Sequence, residues 1–189
     1  MDEDLLREYM NDARGRMTKS VEAMRNEFAS VRTGRASPAL LDRVEVDYYG
    51  VVTPLKQLAN VAAGEARLLT ITPYDKSSIK AIEKGILESD VGLTPSNDGN
   101  LIRISIPEMT EERRKEMVKV IHGIAEQSRV SIRNVRRDVQ NELRDLKKDG
   151  EIGADDEHRA EAELQKLTDG QVGEIDSLVA GKEEEILQV

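Results

Sequence analysis

The sequence has no cysteine and no tryptophan, one phenylalanine, and aromatic residues at only 3% of its 189 positions. Without thiols, disulfides, thiolate metal sites and a cysteine nucleophile are all excluded, and the composition fits a reducing cytoplasm. With so few aromatics, whatever core the chain buries is aliphatic. The N-terminal MDEDLLREYM is acidic and contains no long apolar run, so neither a secretory signal nor a membrane span is expected, and the protein is expected to be soluble and cytoplasmic. Phosphate loops, paired-histidine motifs and serine elbows are also missing, and nothing sets one carboxylate apart as a general acid. Neither catalysis nor a cofactor is expected.

Positive charge is in short supply as well, with 28 Lys+Arg against 37 Asp+Glu, which at first argues against a nucleic-acid partner. The deficit is local, however. Residues 151–189 carry twelve acids against three bases, whereas residues 107–150 carry eleven bases against nine acids. An average of -9 therefore conceals a polar distribution.

What the chain does have is helical periodicity. From Thr110 to Gly150 the positions Met117, Ile121, Ile124, Ser128, Ile132, Val135, Val139, Leu143 and Leu146 recur every three or four residues, the signature of one buried helical face. Thr110 stands as N-cap with Glu111 and Glu112 in the first turn, and Lys147, Lys148 and Gly150 close the other end. At about 1.5 Å per residue this is a rod of 57 Å. A second stripe, Leu6, Met10, Ala13, Met17, Val21, Met24, Phe28 and Val31, predicts a long helix over 2–31, its methionines being core filler. A third helix is expected from Asp155 or Asp156 to about Leu187; its stripe is interrupted by Gln171 and Lys182 and loosened by Gly170, Gly173 and Gly181.

Between the first two helices the pattern changes. Val44 to Tyr48 alternates as a half-buried strand, Arg67 to Thr72 is rich in β-formers, and Leu101 to Ile106 repeats the strand pattern, with Pro95, Asn97, Asp98 and Gly99 as turn residues. Asp75 caps a short helix bearing Ile79, Ile82 and Ile86. The expected fold is therefore α+β: a three-helix bundle over 1–30 and 107–189, interrupted by a small β/α/β domain over 31–106. Helices one and two should run antiparallel, and helix three parallel to helix one. The same stripes satisfied between chains would instead make an intermolecular coiled coil. Glycine or proline marks both crossings, Val31 to Pro38 and Ser105 to Glu108, so a two-strand hinge is expected there.

On the long helix, with Ser128 set at 0°, Arg129, Arg133, Arg136, Arg137, Lys119, Arg144, Lys147 and Lys148 fall between about 80° and 200°. Asp138, Glu142, Asp145, Asp149 and Glu116 fall between about 240° and 320°, and only Glu126 breaks the segregation. Four arginines within nine residues suit phosphate, since guanidinium grips its oxygens in pairs. No aromatic side chain interleaves them, so a folded RNA backbone fits better than stacked single strands. Against this stands the reading in which the acidic third helix neutralises the ridge. His122 and His158 read as surface residues, because no third ligand accompanies either.

V-R-T-G-R-A-S-P-A-L-L-D at 31–42, Y-Y-G at 48–50, T-P-L-K-Q-L-A-N at 53–60, E-E-R-R-K-E at 111–116, S-R-V-S-I-R-N-V-R-R-D at 128–138 and Q-K-L-T-D at 165–169 together resemble the ribosome recycling factor family. The resemblance implies an L-shaped two-domain monomer that binds the large ribosomal subunit after termination. With elongation factor G it splits the ribosome into subunits, without binding nucleotide itself. It implies that Arg129, Arg133 and Arg136 contact ribosomal RNA, with Arg137 and Arg113 as weaker contacts. Arg32, Thr33, Gly34, Arg35, Ser105 and Pro107 fall in the hinge stretches. A helical protein-protein adaptor without RNA contact is the alternative.

Overall fold

The computed structural model of the chain describes residues 2–187, so residues 1, 188 and 189, which end the ranges expected for the bundle, lie outside the described residues. Three long helices are present, α1 (Asp2–Ser30), α4 (Glu111–Lys148) and α5 (Ala154–Leu187). Between α1 and α4 lie β1 (Glu45–Tyr48), β2 (Val51–Pro54), the one-turn helix α2 (Leu55–Leu58), β3 (Ala59–Glu65), β4 (Leu68–Pro73), α3 (Ile79–Glu88), β5 (Pro95–Asn97) and β6 (Ile102–Ser105). The chain divides into two compact units, one of residues Met1–Phe28 and Val118–Glu184, the other of Ala29–Met117 and Glu185–Val189. The architecture is α+β.

In the helical unit, the periodic positions become the core. Met17, Val21 and Met24 of α1, Ile121, Ile132, Val139 and Leu143 of α4, and Leu164 and Ile175 of α5 are all buried. The pairing of polar groups gives the directions. Arg16 Nη2 donates to Asp138 Oδ2 at 2.8 Å and Ser20 lies 2.8 Å from Ser131, so α1 and α4 are antiparallel. Arg129 meets Asp176 while Gln140 meets Glu161, so α4 and α5 are antiparallel too. Both ends of α4 close as its residues dictate. Arg113 N–H donates to Thr110 Oγ1 at 3.2 Å, and Gly150 takes φ 77° while Glu151 N–H reaches back to the Leu146 carbonyl. The glycines of α5 do not end it, because a buried stripe sustains a helix that propensity alone would weaken.

The small unit contains more strands than its sequence suggests. A β1–β2 hairpin turns at Tyr49 and Gly50, both at positive φ, with Gly50 N–H bonded to Asp47 Oδ1 at 2.8 Å. The other four strands form an antiparallel sheet in the order β3-β4-β6-β5. β3, with the sequence ANVAAGE, has little intrinsic strand preference and exists because β4 supplies its hydrogen-bond ladder. β5 starts at Pro95 on the sheet edge, where proline is tolerated, so a residue expected to mark a turn belongs to a strand. Leu69, Ile71, Ile102 and Ile104 point into one core with Ile79, Ile82 and Ile86 of α3. Asp75 accepts from Ser77 N–H at 2.9 Å at the helical turn leading into α3. Gly85 lets α3 close on β1, since a Cβ there would lie 2.8 Å from the Glu45 carbonyl oxygen.

Candidate functional site

Arg129, Arg133, Arg136 and Arg137 lie on the flank of α4 that the angular count assigns them, over about 12 Å of helix axis. Their surroundings differ along that length. Arg129, only 20% exposed, donates through Nη2 to Asp176 Oδ1 of α5 at 2.6 Å and lies 3.5 Å from Glu126 Oε2. Arg133 donates to Glu126 Oε1 at 2.6 Å and is 46% exposed. Arg136 and Arg137 have neutral partners, Gln165 Oε1 at 3.2 Å and Asn134 Oδ1 at 2.8 Å. Among the described residues these two arginines make no ion pair. Positive charge therefore rises toward the C-terminal end of the ridge.

The third helix does screen part of the basic flank. Besides Asp176 on Arg129, Glu157 pairs with Lys147, Glu161 stands 3.6 Å from Arg144, and Glu183 contacts His122. On the opposite, acidic flank Asp138 reaches α1, where it holds Arg16 and, together with Asp12, raises it above its ordinary pKa. The charges of α4 thus meet two neighbours, and the field left for a ligand is the portion that the acids of α5 do not neutralise. Glu126, the one residue between 116 and 149 that breaks the segregation, is tied to the ridge itself. Its spacing of three and seven residues from Arg129 and Arg133 is the signal in the sequence that could have placed it there. Arg133, followed by Arg129, holds its carboxyl below the usual carboxylate range.

Arg113 belongs to the other unit and is paired with Glu116 at 2.7 Å, outside the cluster at 129–137. The linker residues also fall in that unit. Thr33 and Gly34 are buried, Gly34 at φ 82°, while Arg35, Ser105 and Pro107 are exposed. Arg32 places Nη2 3.0 Å from where a Cβ of Gly92 would stand. Both crossing strands are tied to the turn between β3 and β4. Ala36 N–H donates to the Ala66 carbonyl at 2.7 Å, Ile106 N–H donates to the Arg67 carbonyl at 2.8 Å, and Arg67 pairs with Glu108 at 2.6 Å.

Among the described residues no group of three His, Asp or Glu side chains is placed to hold a metal, and no helix is long and apolar enough to cross a membrane. Residues 24–187 match the family described as ribosome recycling factor. The chain belongs to the ribosome recycling factor family. A ribosome-recycling factor of Rubrobacter xylanophilus is 54% identical over 180 residues, covering 95% of this chain and 97% of that protein. The solution structure of a ribosome recycling factor aligns with a TM-score of 0.81 at 41% identity, over 97% of this chain and 98% of the other. A second solved chain comes from models for the T. thermophilus ribosome recycling factor and E. coli elongation factor G bound to the E. coli post-termination complex. It aligns with a TM-score of 0.69 at 46% identity, over 96% of this chain and 98% of that one. Members of the family are translation factors and not enzymes.

Proposed function

We propose that this ribosome recycling factor acts with elongation factor G to dissociate the post-termination ribosome into subunits, binding RNA of the large subunit through the basic flank of α4. The observation that carries the reading is the run Arg133, Arg136 and Arg137, exposed at Arg133 and Arg137 and half-buried at Arg136, in which among the described residues only Arg133 meets a carboxylate, Glu126. Arginines so arrayed can grip successive phosphates of a folded backbone, and the counterions released make the affinity salt-dependent. Arg129 contributes less than its position suggests, because Asp176 already neutralises it. Arg113, paired with Glu116, is the most remote of the proposed RNA-binding residues. The factor works as a monomer, since the three apolar stripes are used within one chain.

The test is co-sedimentation with purified large subunits across a salt series. Arg133→Ala with Arg136→Ala should weaken binding and lower the salt slope by about 2, one for each phosphate no longer gripped. Unchanged affinity and slope would make the ridge the wrong surface.

The linkers at Arg32, Thr33, Gly34 and Arg35 and at Ser105 and Pro107 form the hinge of this cycle, flanking the domains 1–30 with 107–189 and 31–106. Their anchorage on Ala66 and Arg67 supports a pivot whose small-domain side is firmly held. A crosslink joining the two linkers should abolish subunit splitting and spare binding; splitting that survives would remove the hinge from the mechanism.

A further inference from the structure

Glu126 stands on the basic flank itself, with its side chain 55% exposed, and it bridges two guanidinium groups one helical turn apart. Oε1 takes a hydrogen bond from Arg133 at 2.6 Å, and Oε2 lies 3.5 Å from Arg129 Nη1. A carboxylate and a phosphate present paired oxygens to arginine in the same fashion. The carboxylate therefore occupies the position in which a backbone phosphate would meet both arginines. It is not needed to hold Arg129, which Asp176 grips at 2.6 Å from the other side. Arg133, followed by Arg129, also holds the Glu126 carboxyl below the usual carboxylate range.

We propose that Glu126 is an internal competitor for phosphate, which RNA must displace from Arg133 before the ridge can bind. The inference rests on the proposed role of the ridge as an RNA surface. Its consequence is a threshold on affinity. The same cost is subtracted from every polyanion that grips Arg133, so an RNA backbone held by many contacts still binds, whereas a short or unmatched polyanion that meets only the ridge is held weakly. Once displaced, the carboxylate stays close to the incoming phosphate and repels it, so the cost persists in the complex.

The experiment measures binding of the full-length factor to two probes, purified large ribosomal subunits and a short RNA duplex of unrelated sequence, each across a salt series. Glu126→Gln keeps the size of the side chain and one acceptor oxygen while removing the charge. It should tighten duplex binding by about tenfold and steepen the salt slope by roughly 1, the effect of one further uncompensated cation. The gain on large subunits should be at least as large, since the same displacement cost is removed, so both probes tighten. Weaker or unchanged duplex binding by Glu126→Gln, while Arg133→Ala still lowers affinity, would overturn the competitor role alone and make Glu126 a positioning residue. If Arg133→Ala also leaves both probes unaffected, the ridge reading fails and this inference fails with it.

Discussion

In the small unit, three aspartates turn back on their own neighbourhood; in the helical unit, three acids reach across to another helix. Asp47, Asp75 and Asp98 each accept from backbone N–H groups within three residues and so shape the hairpin turn, the entry to α3 and the β5–β6 turn. Asp138, Asp176 and Glu174 instead meet arginines of a neighbouring helix. The first kind of interaction fixes a bend in the chain and leaves little charge for a ligand. The Asp138 and Glu174 pairs are exposed on both sides, and such pairs are individually worth about 0–1 kcal/mol. The helical unit is therefore held by its aliphatic core, and its surface charges can be exchanged for those of a partner without dismantling the fold.

The strongest test of that contrast removes core side chains. Ile132→Ala and Ile82→Ala, both fully buried, should each cost about 2–5 kcal/mol, through reduced burial and a residual cavity. Site-resolved amide exchange should show the first loss in residues 118–148 of α4 and in α5, and the second in β4, β6 and α3. Equal loss of protection in both units for either variant would merge them into one cooperative body.

A smaller effect is expected where the small unit is closed by backbone proximity. Gly85→Ala gains about 1 kcal/mol of helix propensity but drives a Cβ against the Glu45 carbonyl oxygen. Overpacking of this kind costs about 1–3 kcal/mol, so a net loss confined to β1 and α3 is expected in thermal unfolding followed by NMR. A net gain in stability would show that α3 can lift from β1 without loss.

The smallest effect concerns acid. Backbone N–H groups of Asn100 and Leu101, with Arg103, lower Asp98 from 3.8 to about 2. Because the folded value is the lower one, the contribution is present above about pH 4 and is lost as pH falls toward 2. Amide protection at Asn100 and Leu101 should decline through that window in the wild type and stay flat in Asp98→Asn. Identical profiles would mean that the charge of Asp98 does not hold the turn.

How much of this was legible in the residues depends on how local the cause is. The three long helices, their buried stripes, the Thr110 cap and the Gly150 terminus follow from periodicity and from side chains acting within a turn of their own backbone. Three strands with β-branched or alternating residues were equally readable. β2, β3 and β5 were not, since the first is a short hairpin return, the second is small and bland and the third begins with proline, and all three owe their conformation to a neighbouring strand. Within the candidate site, the four clustered arginines could be placed on one flank by counting residues, and Glu126 could have been assigned to them by the same count.

By itself, then, the sequence determined that α4 presents one buried face between flanks of opposite charge, because a helix converts spacing into angle whatever packs against it. Only the tertiary structure decided which of those charges remain available. Asp176 reaches Arg129 from 47 residues away and Asp138 is taken by Arg16 of α1 from 122 away, while Arg136 and Arg137 are left with neutral amides. Such pairings depend on the axial register and rotation of one helix against another, which are set by how the aliphatic cores interlock and not by any pattern within a single helix.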